Sequence, residues 1–277
     1  IWLNGAERTV AWYVPSSYDP ANEYPLLVAL HFCGGTAEGY RNVLMPLADS
    51  LNLIVACPQE PSNGQMTGTE TQIIPVTIDT VRGRYSIDST RVYLTGFSCN
   101  GQVTFEYGLK KIYPFRGIIP YNPYIEFPAS PVYDVTSDMP VSICVASNDL
   151  TVGNTLLLYD RLLQQGADVT LNIMKPVGHT YDFPEFTAEM LECFRLLGQD
   201  PSLRFRSPES VEYDTLTGSY FVSTSYDRRI LRTDGDPLSN QLFVSSGLAF
   251  PLGLAILDST LYVADSSHVK GFHVKTA

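Results

Sequence analysis

Short apolar runs alternate with segments of helical spacing along roughly the first 200 residues of the chain. Runs that are apolar at nearly every position predict strands buried on both faces. Residues 25–30 and 141–146 are runs of this kind, and further strands are predicted at residues 53–56, 91–95, 115–120 and 169–174. Helical spacing is found at residues 36–51, 75–85, 102–112, 152–165 and 182–198. This alternation predicts an α/β fold, with a mostly parallel sheet between two helix layers and one antiparallel strand at residues 9–14.

From about residue 201 the helical spacing stops and short alternating strands begin. Residues 208–223 are echoed by residues 251–264, and Pro208 and Pro251 are 43 positions apart. A repeat of about 40 residues with several strands is typical of β-propeller blades. We therefore expect two domains, residues 1–200 of the α/β class and residues 201–277 with about two blades. The alternative is a remnant sheet packed on the first domain.

Seven strands are expected in the second domain. They lie at residues 211–214, 220–223, 230–233, 242–244, 254–257, 261–264 and 269–274. They make one blade of four strands and one of three, and residues 203–206 are the candidate for the missing strand. Pairing of that strand with a neighbouring chain predicts a homotrimer, in which three chains close a six-bladed ring.

Charge narrows the range of partners. The 277 residues carry a formal net charge of −11. This balance argues against nucleic acid and anionic membrane, which attract basic patches. No apolar run approaches the roughly 20 residues of a membrane span. The sequence starts at Ile1 and not at Met, so we expect an upstream segment to have been removed. If that segment was a signal peptide, the protein is secreted or periplasmic.

The five cysteines are odd in number, widely spaced and without a metal-ligand pattern. Cys57 and Cys144 lie in apolar strand-like runs and are expected to be buried thiols. One disulfide bridge is compatible with the count, but the sequence assigns no pair to it.

Candidate chemistry begins at residues 91–108, which predict a strand, a tight turn and a helix. This is the layout of a nucleophile elbow with the motif G-x-S-x-G, where a strained turn exposes a serine hydroxyl. Gly96 and Ser98 match the motif, whereas Asn100 takes the last glycine position and Gly101 follows it. Ser98 is the candidate nucleophile.

A base and an acid are expected after the nucleophile, each just past a strand. His179 follows the strand at 169–174 and is the only histidine after Ser98 within the α/β part. Asp149 follows the strand at 141–146 and is the candidate acid that orients the imidazole. The other acids considered are Asp134 and Asp138, which precede that strand, and Asp182, which we expect to cap the last helix.

The glycine-rich loop at residues 31–35 is a candidate oxyanion site. Backbone N–H groups after the first core strand and after the nucleophile commonly hold an oxyanion. Cys33 is the first candidate from this loop, with Phe32 next, and Cys99 supplies the second donor.

Several of these motifs occur in one order. They are Val14–Pro20, Tyr24–Ala37, Arg91–Ser98 and Gly178–His179. Over residues 5–199 the chain resembles the α/β-hydrolase esterases of the polyhydroxybutyrate-depolymerase and feruloyl-esterase group. The resemblance implies an α/β-hydrolase fold and a triad of Ser98, Asp149 and His179. Residues 201–277 resemble gluconolactonase-like and NHL-type propeller blades.

Two departures from that group concern the nucleophile's surroundings. Phe32 replaces the glycine of a His-Gly-Cys loop, and Asn100 replaces the elbow glycine. We expect both to narrow the entrance beside Ser98. Tyr121 and Tyr124, in an aromatic loop that extends to Phe127, are expected with Phe32 to form a substrate wall. The alternative is that these rings only cap the core.

The predicted function is that of a serine carboxylesterase acting on feruloyl, aryl or short-chain esters, either small molecules or esters linked to polysaccharide. No metal or cofactor is implied. A hydrolase-shaped binding protein with an impaired elbow is the alternative from another class, with the propeller segment as its recognition surface. A peptidase or lactonase with the same triad is a third possibility.

Overall fold

The computed structural model describes residues 1–3, 5–60, 64–110, 112–125, 139–205, 207–236 and 239–275. The chain divides into two compact units, Ile1–Leu197 and Gly198–Ala277. In the N-terminal unit, seven strands form one sheet in the order β3-β5-β4-β6-β7-β8-β9. Its strands are β3 (Val10–Tyr13), β4 (Tyr24–Leu30), β5 (Ile54–Pro58), β6 (Ile87–Phe97), β7 (Gly117–Tyr121), β8 (Val141–Ala146) and β9 (Val169–Met174). A hairpin of β1 (Trp2–Leu3) and β2 (Ala6–Glu7) precedes them.

Neighbouring strands of this sheet run parallel, except that β3 pairs antiparallel with β5. Strands β4, β5, β7 and β8 are buried at every position because helices cover both faces. The helices are α1 (Ala37–Leu51), α2 (Ile73–Arg82), α3 (Cys99–Leu109), α4 (Val152–Gln164) and α5 (Phe186–Leu197). Helices α1 and α5 pack on one face, and α2, α3 and α4 pack on the other.

The register brings the carboxyl ends of the strands to one edge. Gly96 pairs with Leu30 of β4, and Tyr121 pairs with Cys144 of β8. Ala146, the last residue of β8, pairs with Met174, the last residue of β9. The loops that follow β4, β6, β7, β8 and β9 therefore leave the sheet at the same edge.

Helix α5 begins at Phe186, so the expected start at Asp182 is wrong. Pro184 explains the difference, because a residue before proline is disfavoured in helical conformation. The N–H of Asp182 instead donates to Thr180 Oγ1 at 2.9 Å. Asp182 therefore lies in a loop and does not cap the helix.

The C-terminal unit contains two antiparallel sheets. The first consists of β10 (Pro208–Asp214), β11 (Ser219–Thr224), β12 (Arg229–Thr233) and β13 (Gln241–Val244). The second consists of β14 (Pro251–Leu257), β15 (Thr260–Asp265) and β16 (His268–His273). The two sheets share a core that includes Phe221, Ile230, Leu261 and Val263.

The strand expected at residues 203–206 is not formed in the part that the structure describes. Residues Pro201–Leu203 make a 3-10 turn instead, and Arg206 lies outside the described residues. Asp200 explains the turn, because its carbonyl accepts from the Leu203 N–H and its carboxylate from the Ser202 N–H. Within the described residues, no helix is long and apolar enough to cross a membrane.

Candidate active site

Ser98 lies in the turn between β6 and α3, with φ 59° and ψ −121°. A positive φ at a non-glycine residue is strained, at a cost of roughly 1–3 kcal/mol. Backbone hydrogen bonds hold the turn: the Ser98 N–H donates to the Tyr121 carbonyl at 3.1 Å. The Ser98 carbonyl accepts from the N–H groups of Gly101 and Tyr124 at 2.9 and 2.8 Å. The residue in the left-handed region is thus the serine itself, and Asn100 does not need that conformation.

Close packing explains the glycines of the turn. A Cβ on Gly96 would lie 2.2 Å from the Asn100 carbonyl oxygen and 2.4 Å from Thr104 Oγ1. A Cβ on Gly101 would lie 2.8 Å from Cα of Pro123. Glycine at 96 lets α3 pass close to β6, and glycine at 101 lets α3 approach the loop after β7.

His179 lies in the loop after β9, between Ser98 and Asp149. Its Nε2 is 2.8 Å from Ser98 Oγ, and its Nδ1 is 2.7 Å from Asp149 Oδ2. The imidazole stacks on Phe97, with ring centroids 4.9 Å apart. With a carboxylate at Nδ1, that nitrogen carries the proton, which leaves Nε2 to accept from the serine hydroxyl.

Asp149 follows β8 and has a fully buried side chain. Burial alone would raise the pKa of this carboxyl, but hydrogen bonds from His179 and Thr151 outweigh it, and the pKa is lowered. The Thr151 N–H and hydroxyl donate to Asp149 Oδ1 at 2.8 and 2.7 Å. Asp149 is therefore an oriented carboxylate at neutral pH. Asp182 is exposed, and the other acids considered, Asp134 and Asp138, lie outside the described residues.

A disulfide joins Cys33, in the loop after β4, to Cys99, the first residue of α3. The Cys33 N–H donates to Cys99 Sγ at 2.9 Å, so this candidate oxyanion donor already has an acceptor. No described residue accepts from the Phe32 N–H. The Cys99 N–H lies at the first position of a helix, where N–H groups lack intrahelical partners. Cys57, Cys144 and Cys193 are buried free thiols.

No protein-family model matches the chain. Over 107 residues it is 35% identical to the bifunctional acetylxylan esterase/xylanase XynS20E of Neocallimastix patriciarum. Over 109 residues it is 28% identical to acetylxylan esterase A of Emericella nidulans. These matches cover 36% and 34% of this chain but only 16% and 36% of the relatives, so the chain spans a minor part of each.

Solved structures of esterases superpose on about 70% of the chain. S-formylglutathione hydrolase FrmB of Staphylococcus aureus matches with a TM-score of 0.58 and 15% identity, over 70% of this chain and 92% of its own. A ferulic acid esterase (TM-score 0.55, 15% identity) covers 70% of this chain and 92% of its own. The poly(3-hydroxybutyrate) depolymerase LpqC of Bordetella parapertussis (TM-score 0.52, 20% identity) covers 70% and 85%. The part of the chain that these structures cover has the α/β-hydrolase fold. The expected likeness to depolymerase and feruloyl-esterase structures is thus confirmed at the level of the fold, while the propeller blades stay a prediction.

Asn100 does not narrow the entrance to the hydrolase site. Its side chain is fully buried and points into the interior, where all its polar groups have partners. The amide nitrogen donates to the His31 carbonyl at 2.7 Å and to Glu60 Oε1, and the amide oxygen accepts from the Met66 N–H at 3.1 Å. The expectation failed because Asn100 is already in α3, turned away from the nucleophile.

The two tyrosines of the predicted substrate wall lie in different environments. Tyr121 is fully buried, packs on Phe97 and Phe186, and donates its hydroxyl to the Thr180 carbonyl at 3.0 Å. Its hydroxyl thus holds the loop that carries His179 in place from the protein interior. The assignment of Tyr121 to the substrate wall is wrong, because its side chain has no exposed surface. Tyr124 is 41% exposed, and its N–H donates to the Ser98 carbonyl in the elbow.

Phe32 is half-buried, with its ring against Phe97 and Tyr181. Its ring also covers Gly35, where a Cβ would lie 2.8 Å from Phe32 Cε1. Phe32 is thus part of the aromatic cluster beside His179. Phe127 lies outside the described residues.

Proposed function

We propose that the hydrolase unit is a serine carboxylesterase. The observation that carries the proposal is the hydrogen-bonded chain from Ser98 Oγ through His179 to the buried Asp149 carboxylate. Esterase relatives and esterase folds support the same reaction class. The acidic chain gives no reason to propose nucleic acid or membrane as a partner.

Each residue has a role in this mechanism. Ser98 Oγ attacks the ester carbonyl while its proton passes to His179 Nε2. Asp149 orients the imidazole and stabilises the imidazolium. His179 then delivers the proton to the departing alcohol. In the second half of the reaction His179 takes a proton from the water that attacks the acyl-enzyme and returns it to Ser98 Oγ as the carboxylic acid leaves. No metal or cofactor enters these steps.

The oxyanion of the tetrahedral intermediate needs backbone donors. We assign one to Cys99 and the other to the loop after β4, from Cys33 or Phe32. The Cys33 N–H contacts a disulfide sulfur, which is a weaker acceptor than an oxyanion, so a negatively charged oxygen competes well for it. Phe32 is the alternative donor, since its N–H is not engaged by any described residue.

The proposed substrate class is based on the names of the two sequence relatives, each of which includes acetylxylan esterase. We propose short acyl esters on a polysaccharide or small alcohol, with aryl esters next, and a secreted location that suits polymeric substrates. A hydrolase-shaped binding protein remains the second candidate, because the Cys33 N–H is directed at sulfur. Turnover of nitrophenyl acetate with an acyl-enzyme burst supports the esterase. Absence of both supports the binding protein.

Tyr124 is the remaining described tyrosine of the proposed substrate wall. Replacing Tyr124 with alanine is expected to raise KM for aryl esters more than for acetyl esters, because a planar ring stacks on a planar acyl group. Steady-state kinetics on nitrophenyl acetate and a feruloyl ester measure the two values. An equal change for both substrates would show that Tyr124 only supports the fold around Ser98.

We further propose that the C-terminal unit joins three chains into a ring. Apolar side chains are exposed on the outer face of each sheet, away from the shared core. They are Val211, Tyr213, Tyr220 and Leu242 on the first sheet and Leu257, Tyr262 and Val269 on the second. Propeller blades bury such faces against neighbouring blades. Two sheets per chain need further copies to close a ring, and a six-bladed ring needs three chains.

The ring predicts a mass in native solution of about three times 30.7 kDa, measured by light scattering. Val269→Glu, on the outer face of β16, is expected to dissociate the trimer because it places a charge in the interface. Ser267→Glu adds the same charge in the adjacent hairpin turn and serves as the control. A wild-type monomer would rule out the ring.

A further inference from the structure

The buried cluster behind the elbow is not used by the proposed mechanism. It consists of His31 directly after β4, Glu60 after β5 and Asn100 in α3, all nearly or fully inaccessible to solvent. His31 Nδ1 lies 2.9 Å from the Phe32 carbonyl and 3.4 Å from Glu60 Oε1. Polar groups are costly to bury, and hydrogen bonds between them tend to fix one local arrangement. In this cluster the Asn100 side chain has all of its polar groups bonded, whereas His31 Nε2 and Glu60 Oε2 have no partner among the described residues.

We propose that Asn100 is a positioning residue for ester hydrolysis, which clamps the His31 carbonyl and thereby orients the oxyanion loop at residues 31–35. The inference rests on the proposed function. The clamp is direct, because both amide protons of Asn100 are committed, one to the His31 carbonyl and one to Glu60. In a trans peptide group, the N–H points opposite to the carbonyl. Holding the His31 carbonyl inward therefore directs the Phe32 N–H away from the core and sets the start of the loop that continues to Cys33.

Asn100 also couples this loop to the nucleophile. It is two residues after Ser98, at the second position of α3. The bond from Thr104 Oγ1 to the Asn100 carbonyl, at 2.8 Å, lies within α3 and does not reach the loop. The disulfide between Cys33 and Cys99 ties the same two segments a few residues further along. Two cross-links, one covalent and one through the amide, thus set the position of the loop's N–H groups relative to Ser98. Preorganised donors of this kind are the largest single source of rate in acyl transfer.

The cluster is suited to this place because it is uncharged. Burial, with a smaller contribution from Glu70, raises the pKa of Glu60 to about 9, and burial lowers the pKa of His31. A neutral carboxyl and a neutral imidazole do not repel an oxyanion that forms nearby. The amide nitrogen of Asn100 donates to both the His31 carbonyl and Glu60 without adding a charge. An aspartate at this position has no such donor and would bring a negative charge when ionised.

The test compares Asn100→Ala and Asn100→Asp with Thr104→Val. The first two remove the amide donors, and Asn100→Asp keeps the side-chain shape. Thr104→Val removes the buried hydrogen bond to the Asn100 backbone and leaves the amide contacts in place. Each variant is assayed for kcat and KM on nitrophenyl acetate and for its melting temperature.

Both Asn100 variants are expected to lose about ten- to a hundred-fold in kcat with KM changed less than about threefold, somewhat less than the loss of an oxyanion donor itself. Thr104→Val is expected to keep kcat within about twofold of wild type, even if its melting temperature falls by as much as that of the Asn100 variants. The proposal is overturned if the Asn100 variants keep their kcat, or if Thr104→Val loses as much. If the wild-type chain shows no turnover of nitrophenyl acetate, the proposed esterase function is wrong, and the role of Asn100 that depends on it is wrong as well.

Discussion

Replacing Ser98 with alanine is expected to lower kcat for nitrophenyl acetate by a factor of about 10⁴–10⁶ while the fold is retained. The reason is that the hydroxyl at 2.8 Å from His179 Nε2 is the only group of this chain assigned to attack the ester carbonyl. His179→Ala is expected to cost a similar factor, because the serine then has no base. Since the two residues act as one unit, the double variant should be no worse than either single variant.

Ser147→Ala is the matched control, because Ser147 is an exposed serine at the same edge of the sheet, directly after β8. It should retain full turnover. Melting temperatures of all variants verify that the fold is intact. If the Ser98→Ala protein keeps more than a few per cent of wild-type activity, the nucleophile is a different residue.

The sheet was predictable because its central strands are buried on both faces. Such strands are apolar at nearly every position, and the run at residues 141–146 coincides with β8. Strand β9 lies at the edge of the sheet and coincides with the strand predicted at residues 169–174, where apolar and polar residues alternate up to Ile173. Placing candidate residues just after these strands was enough to bring Ser98, Asp149 and His179 together, since the carboxyl ends of parallel strands share an edge. That step depends on topology and needs no knowledge of side-chain conformation.

Contacts between distant loops were harder to predict. The Cys33–Cys99 disulfide closes a separation of 66 residues, and its only sequence signal is that both cysteines follow strands that prove to be neighbours. The inward direction of Asn100 and the burial of Tyr121 depend on the packing of α3 and α5 against the sheet. Periodicity shows which face of a helix is apolar, but it does not show which polar side chains find partners in the core.

The remaining large effect concerns the acid. Asp149→Asn is expected to lower kcat by about 10⁴ with little change in KM. The amide oxygen can still accept from Thr151, which turns the amide nitrogen toward His179 Nδ1. A donor there favours the tautomer with the proton on Nε2, and that nitrogen can no longer accept the proton of Ser98. The carboxyl also links pH to stability: its lowered pKa means that the stabilisation is present above the ordinary pKa of about 3.9 and is lost as pH falls through the lowered value.

Asp182→Asn is the matched control for this change, because Asp182 is an exposed carboxylate three residues after His179. It is also the one alternative candidate for the acid that lies within the described residues. It is expected to keep kcat within about twofold, since its side chain has no assigned part in the site. Steady-state kinetics at neutral pH separate the two variants, and thermal melts at pH 7 and pH 3 should show a smaller acid-induced loss of stability for Asp149→Asn than for wild type. If Asp182→Asn costs as much activity as Asp149→Asn, the acid is not Asp149 alone, and the orientation of His179 must be explained by a rearrangement of its loop.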